Sequence, residues 1–358
     1  MKKKLITAAV GAALVAVAGI AQAEVKVSGY ANVSLDSIKG CENATCVDNS
    51  NNLNISSNSS YIKFDAVEDI GGGLKGVFSA TEFVQIDENA SGLLTGGNTY
   101  AGIAGDFGVV VMGTHDTGGK LVGRTFDLFG NQIGDSRNMA VDPLRVNNLI
   151  AYLSPNFSGF SFVVGYTTNP LETTATNDDS ASAYSAMLSY ANGPLAVAVG
   201  YDAVSLGDTA SSDPTLDGMK IMNVGAKYAF PSGTEPVVFY QKINNAAEVK
   251  DYDFTTIGVG VKQSFGNEVV KAQYYQLETD DSSDKCKATM VAVGYDHNFS
   301  KAATGYVAYA QTTNDDDAAC VTRGDDAFSM AGSGHGDDPG TASGEKMSGL
   351  SVGFILKF

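Results

Sequence analysis

EVKVSGYANVSLD, residues 24–36, alternates with a period of two. Val25, Val27, Gly29, Ala31, Val33 and Leu35 fall on one side, and Lys26, Ser28, Tyr30, Asn32, Ser34 and Asp36 on the other. Successive side chains of a strand point to opposite faces, so this is a strand with one apolar and one polar face. One such strand fits any sheet, but the pattern recurs along the whole chain. Strands are predicted near 24–36, 59–69, 74–87, 97–106, 108–114, 146–154, 159–168 and 181–191. Eight more follow near 194–203, 218–229, 235–243, 253–264, 267–278, 287–298, 302–313 and 347–358. The chain is therefore all-β, with sixteen strands.

The connections order these strands. Gly71-Gly72-Gly73, Asp106-Phe107-Gly108, Pro155–Ser158, Asn192-Gly193, Pro231–Thr234, Phe265-Gly266 and Phe299–Lys301 are tight turns. The alternate connections, 37–58, 88–96, 115–145, 169–180, 204–217, 244–252, 279–286 and 314–346, are long and polar. Short turns at one end, long loops at the other and an even strand number describe a transmembrane antiparallel β-barrel. The uncharged stretches Val146–Leu171 and Ser180–Tyr201 are each broken by turn residues, so neither reads as a spanning helix. A closed barrel is then the way for this chain to satisfy its backbone inside a bilayer. Leu350, Val352, Phe354, Leu356 and Phe358 alternate to the last residue, and pairing this strand with residues 24–36 removes both edges.

The N-terminus fixes the compartment. Lys2, Lys3 and Lys4 precede an apolar run from Leu5 to about Ile20, and Ala21-Gln22-Ala23 supplies small residues for cleavage. Residues 1–23 read as a secretory signal peptide cut between Ala23 and Glu24, leaving 24–358 as a single barrel domain. Of 23 lysines and arginines, removal of these three leaves 20 against 40 acidic residues, a formal charge of −20. Such a chain repels nucleic acid and anionic membrane surfaces. Four cysteines in an exported chain suggest disulfides. Cys41 and Cys46 close a short loop, and Cys286 and Cys320 then form the second pair. A metal site is the rival, but Cys-x4-Cys without a nearby His suits zinc poorly.

Several stretches resemble general Gram-negative porins of the sixteen-stranded kind. They are Ser28-Gly29-Tyr30-Ala31, Gly73-Leu74-Lys75-Gly76-Val77-Phe78, and Ala101 through Gly108 leading to Met112-Gly113. Arg145-Val146-Asn147-Asn148, Tyr152 through Phe160 and the terminal Phe358 complete the set. The resemblance implies an outer-membrane homotrimer, in contact with lipid and lipopolysaccharide, passing ions and small hydrophilic solutes by diffusion. It also implies that the third long loop, 115–145, folds into the lumen as a constriction, and that Phe358 serves as the C-terminal assembly signal.

That loop holds Asp116, Asp127, Asp135 and Asp142 beside Lys120, Arg124, Arg137 and Arg145, with three of the chain's four arginines. Acids on the loop facing bases on the wall would set a transverse field across the pore. The plainer account is that these charges brace the loop by salt bridges. Alternation puts Lys26, Lys63, Lys75, Lys227, Lys262 and Lys271 on polar faces, and a midplane lysine facing lipid would cost roughly 2–4 kcal/mol, so all six are expected on the pore wall.

No cofactor is implied. The acidic runs Asp178-Asp179, Asp280-Asp281, Asp315-Asp316-Asp317, Asp325-Asp326 and Asp337-Asp338 fall in long loops, either as solvated surface or as binders of Ca²⁺ or Mg²⁺. A negative mouth predicts weak cation selectivity. An enzyme is disfavoured: His115, His297 and His335 are the only histidines, and none sits in a nucleophile–base constellation. A substrate-selective channel is the closer rival, with Tyr30, Tyr61 and Tyr275 on polar faces. An occluded adhesin or structural barrel is the third reading.

Overall fold

Strands that are apolar on one face and polar on the other need a sheet with two unlike environments, and here the sheet closes on itself. The structure, a computed structural model, describes residues 24–40, 53–87, 94–139, 144–170, 181–205, 217–246, 249–279, 286–314 and 346–358. Among them lie seventeen strands. They are β1 (Glu24–Gly40), β2 (Leu53–Ser57), β3 (Tyr61–Gly71), β4 (Leu74–Val84), β5 (Leu94–Gly105), β6 (Gly108–Asp116), β7 (Arg145–Leu153), β8 (Phe160–Thr168) and β9 (Ser182–Asn192). The ring continues through β10 (Leu195–Ser205), β11 (Lys220–Tyr228), β12 (Thr234–Asn244), β13 (Phe254–Phe265), β14 (Glu268–Thr279), β15 (Lys287–Asn298), β16 (Ala303–Asn314) and β17 (Lys346–Lys357). From β3 onward each strand pairs with its sequence neighbour, β1 pairs with both β2 and β3, and β1 meets β17 antiparallel from Tyr30–Lys357 to Gly40–Met347. The barrel is closed and has no free edge.

Seventeen strands make sixteen positions because β2 and β3 run as one interrupted strand, both antiparallel to β1. The expectation that 37–58 is loop is corrected here: β1 continues to Gly40 and the chain is back in the sheet at Leu53. The interruption lies in Asn58-Ser59-Ser60, where Ser59 takes φ 51°. Side chains replace the missing ladder bonds: Asn32 N donates to Ser60 Oγ at 3.0 Å, and Ser60 Oγ donates to Asn32 O at 3.1 Å. Leu53 and Ile55 do alternate and face outward, but two apolar residues ahead of a run of serines and asparagines are too short a pattern for periodicity to read. β5 likewise starts three residues before its predicted onset.

The two faces sort as the alternation requires. On β1, Val25 and Val27 are 63% and 53% exposed on the outside, whereas Asn32 and Asp36 are fully enclosed on the inside. The last strand presents Leu350, Val352, Phe354 and Leu356 outward. The seven predicted tight turns all join strands at one end. At Gly71-Gly72-Gly73 all three residues have positive φ, which side chains resist, so the glycines are what make that turn possible.

The third long connection carries regular structure of its own. It contains helix α1 (Gly118–Phe126) and a 3₁₀ turn at Ser136–Met139. Gly118, Val122 and Phe126 recur every four residues and form the buried stripe of α1. This stripe needs a surface to cover, and that surface is the inner wall of the barrel.

Candidate constriction site

The loop is fastened at its start. Thr117 caps α1 by accepting from Lys120 N at 3.3 Å. Asp202 of β10, 1% exposed, accepts from Thr117 Oγ1 at 2.7 Å and from Gly119 N at 3.4 Å. Ser185 Oγ of β9 accepts from Gly118 N at 2.6 Å, and Asn223 Nδ2 of β11 donates to Gly119 O at 2.7 Å. A carboxylate beside the free N–H groups of a helix start suits the helix dipole.

Apolar side chains seat the rest. Val122 and Phe126 pack into a cluster with Met187, Ala198, Ile221 and Phe239 of the wall. Phe129 and Ile133 enter a second cluster with Ala292, Ala308, Ala310 and Ile38. All four loop residues are at most 2% exposed, and burial of each contributes roughly 1.5–3 kcal/mol. The wall makes room with small residues: a methyl group on Gly225 would land in the Phe126 ring, and one on Gly349 would strike Ile133. Polar contacts finish the seat. Leu128 N donates to Gln273 Oε1 at 3.1 Å, and Gln273 Nε2 donates to Gly134 O at 2.6 Å. Beside the second cluster, Asn32 Nδ2 of β1 donates to Asn131 O at 2.5 Å.

The loop charges form two groups. In the first, Asp135 pairs with Arg124 at 3.0 Å and Arg137 at 2.8 Å, Asp127 lies 3.8 Å from Arg124, and both guanidiniums donate to Asn131 Oδ1. Burial alone would raise the Asp135 carboxyl, but the two guanidiniums outweigh it and hold the group well below the usual carboxylate range. Burial raises the neighbouring Asp127, and the Asp135 charge raises it further. In the second group, Arg145 Nε and Lys120 Nζ reach Asp116 Oδ1 at 2.9 and 3.5 Å, and Asn98 bridges Arg145 and Asp116.

Accessibility differs within the ion pairs. The side chains of Asp127 and Asp135 are 0% exposed and Asp116 is 14%, whereas Arg124 and Arg145 are each 25% exposed. Arg124 and Arg145 are thus more accessible than the carboxylates they pair with, whereas Lys120 at 15% and Arg137 at 13% are about as enclosed as Asp116. This differs from an acidic loop facing a basic wall. The bracing role and the pore-facing role belong to different members of the same ion pairs.

The six wall lysines are spread over the inner face. Lys63 pairs with Asp65 at 2.9 Å, Lys262 with Glu235 at 2.9 Å, and Lys271 with Asp296 at 3.0 Å. Lys271, 6% exposed, also donates to Gln132 Oε1 at 2.7 Å and sits over the Phe129 ring. Lys227 donates to Thr125 O at 3.1 Å beneath α1. Lys26 is exposed opposite Asp65, and Lys75 stands opposite Asp69. Lys227 and Lys271 thus hold the loop, and the other four lie beyond it on the wall.

Tyr275 is 2% exposed behind the loop, so it does not share a surface with Tyr30 and Tyr61. Those two stack at 5.5 Å, and Phe83 meets Tyr61 edge-on at 6.4 Å. Phe83, Asn98 and Asn131 were not singled out in the sequence, although the alternation of β4 places Phe83 inward. Asp142, Cys41, Cys46, Cys320 and the five acidic runs lie outside the described residues. Cys286 is disulfide-bonded.

A family model described as Gram-negative porin matches residues 8–317. The chain is 30% identical to outer membrane porin protein 32 of Delftia acidovorans, over all of both chains. It is 28% identical to an outer membrane porin of Bordetella pertussis, over 64% of this chain and 66% of that one. Among solved structures, an anion-selective porin from Comamonas acidovorans superposes with a TM-score of 0.75 at 23% identity, covering 94% of this chain and all of the other. The trimer form of OmpT from Vibrio cholerae gives 0.65 at 15% identity, covering 94% and 99%.

Proposed function

Because this chain belongs to the Gram-negative porin family, we propose that its barrel conducts as an outer-membrane homotrimer and that its constriction favours anions over cations. It is an outer-membrane porin, a passive channel for ions and small hydrophilic solutes, and its relatives are channels rather than enzymes. The observation that carries the anion preference is the accessibility of Arg124 and Arg145, each 25% exposed, beside partner carboxylates that are 0% and 14% exposed. A permeating ion responds most to the charges it passes closely, where the pore is narrow and counter-ions are few. The acidic runs of the long connections attract cations as well, but charges farther from the ion are more strongly screened. The proposed anion preference runs opposite to the weak cation preference that a negative mouth predicts. A neighbouring fold described as anion-selective is in keeping with this reading.

Reversal potentials of purified protein in a planar bilayer under a salt gradient test it. Potentials on the chloride side, with openings in threes, are expected. A potential on the potassium side would refute the anion preference, and persistent silence from inserted protein would refute the open channel.

The remaining parts of the proposal concern export and assembly. Residues 1–23 direct secretion and are removed between Ala23 and Glu24, which intact mass of the outer-membrane form checks. Phe358 acts as the assembly signal. Its backbone closes the barrel against Gly29 at 2.8 and 3.1 Å, and its ring lies 64% exposed to lipid. Cys41–Cys46 and Cys286–Cys320 form the disulfides, testable by non-reducing peptide mapping. Lipopolysaccharide contacts the outer rim, where the acidic runs suit Ca²⁺ or Mg²⁺ as bridging ions.

A further inference from the structure

The loop covers the inner wall from β9 round through β17, with contacts to Ser185, Asp202, Asn223, Gln273, Ala292 and Ala308, and its tip touches β1 at Asn32. Next round the ring from that contact come β3, paired with β1, and β4, paired with β3. At the level of the loop those strands present aromatic rings. Tyr30 faces Tyr61 across the β1–β3 pair, and Tyr61 faces Phe83 across the β3–β4 pair, so the three stand in one row perpendicular to the strands. Their rings touch in sequence, stacked at 5.5 Å and then edge-on at 6.4 Å. All three are half-buried, which leaves part of each ring open to the lumen.

Cations end the row on both sides. The Arg145 guanidinium lies 5.3 Å from the centre of the Phe83 ring. At the other end the Tyr30 hydroxyl accepts from Asn32 Nδ2 at 3.1 Å, and Asn32 donates on to Asn131 O. Asn131 in turn holds Arg124 and Arg137 through its side chain. Rings bring a π-face at little entropic cost, and a guanidinium brings a planar fork for carboxylate. A simple sieve needs neither in this order. Interfacial anchoring, the usual reason for tyrosines in a barrel, does not account for rings that point inward at the constriction.

We propose that Tyr30, Tyr61, Phe83 and Arg145 form a subsite in the pore for small aromatic monocarboxylates. The ring of the solute lies along the aromatic row and its carboxylate meets Arg145. Stacking is worth about three- to tenfold in affinity over a saturated acid of the same size and charge. The site rests on the open-channel reading and adds a solute class to it.

Benzoate and cyclohexanecarboxylate are the probes, because they share charge and approximate size and differ in the π-face. Each is titrated against the chloride current of the full-length mature porin in a planar bilayer, and the ratio of half-blocking concentrations is read. Benzoate is expected to block saturably at about three- to tenfold lower concentration. Tyr61→Ala and Tyr61→Leu, and separately Phe83→Leu, should bring the ratio to near one whatever they do to the conductance itself. Equal block by the two acids in the parent protein would overturn the subsite, as would an undiminished ratio in all three variants. Failure of the anion-preference reading shows differently, as a reversal potential on the cation side, whether or not benzoate blocks.

Discussion

Replacing Arg124 by glutamine tests whether the constriction acts by charge. Arg124 is the guanidinium whose removal least disturbs the loop, because Arg137 keeps its own two bonds to Asp135, Nε to Oδ1 at 3.0 Å and Nη2 to Oδ2 at 2.8 Å. The buried carboxylate is not orphaned, and glutamine can still donate one hydrogen bond to it. What is lost is one positive charge whose side chain is 25% exposed. An ion passing at about 5 Å in water-like dielectric feels that charge by about 0.8 kcal/mol. Screening at 0.1 M salt reduces this to about 0.5 kcal/mol. The anion loses that stabilisation and the cation loses an equal repulsion, so the ratio of permeabilities moves by about 1 kcal/mol, or about fivefold. At 1 M salt the Debye length falls to about 3 Å and the same change shrinks to under about twofold. Reversal potentials of parent and variant at the two salt concentrations give both numbers. No shift at 0.1 M would refute the electrostatic account. A shift that persisted undiminished at 1 M would also refute it, pointing instead to a change in pore shape.

Gly225→Leu should unseat α1, since even a methyl group there meets the Phe126 ring; overpacking costs about 1–3 kcal/mol, read as faster amide exchange in 118–126, and Gly96→Ala, which has open space, should leave exchange unchanged. Asp135→Ala leaves two guanidiniums around an empty site and should weaken loop docking by about 3–5 kcal/mol, seen as loss of exchange protection in 127–139 and as noisy open-channel current. The pH response follows from the two coupled carboxyls. Asp127 is raised, so its contribution to loop docking is full below the ordinary carboxylate value and is lost as pH rises through its higher folded value. Asp135 is lowered, so its contribution is full above the ordinary value and is lost only as pH falls through its much lower folded value. The loop should therefore stay docked in mild acid while anion preference rises as Asp127 takes up its proton, and reversal potentials of Asp127→Asn should lack that rise.

Most of the barrel was legible in the sequence because its forces are local and repeated. The lipid face needs an apolar residue at every second position and the lumen tolerates polar ones, so residues 24–36 and 350–358 announce their faces unaided. The glycine and proline turns give the alternation of short and long connections. The region 53–60 escaped because its alternation is confined to Leu53 and Ile55 before the strand is interrupted at Asn58-Ser59-Ser60, where the Ser60 side chain carries the bonds to Asn32. Within the constriction loop the sequence supplied the inventory of charges without their geometry. Asp135 and Arg124 look alike as loop residues, yet one is fully enclosed and the other faces the pore. That difference is set by where Phe126, Phe129 and Ile133 find room on a wall built from strands distant in sequence. Tyr30, Tyr61 and Tyr275 share the same alternation, and the position of the loop alone decides that two line the opening and one lies behind it. Alternation along a strand depends on each residue's own neighbours and can be read from one chain segment. Which inward residues meet solute depends on what else occupies the lumen, and only the closed barrel with its loop in place decides that.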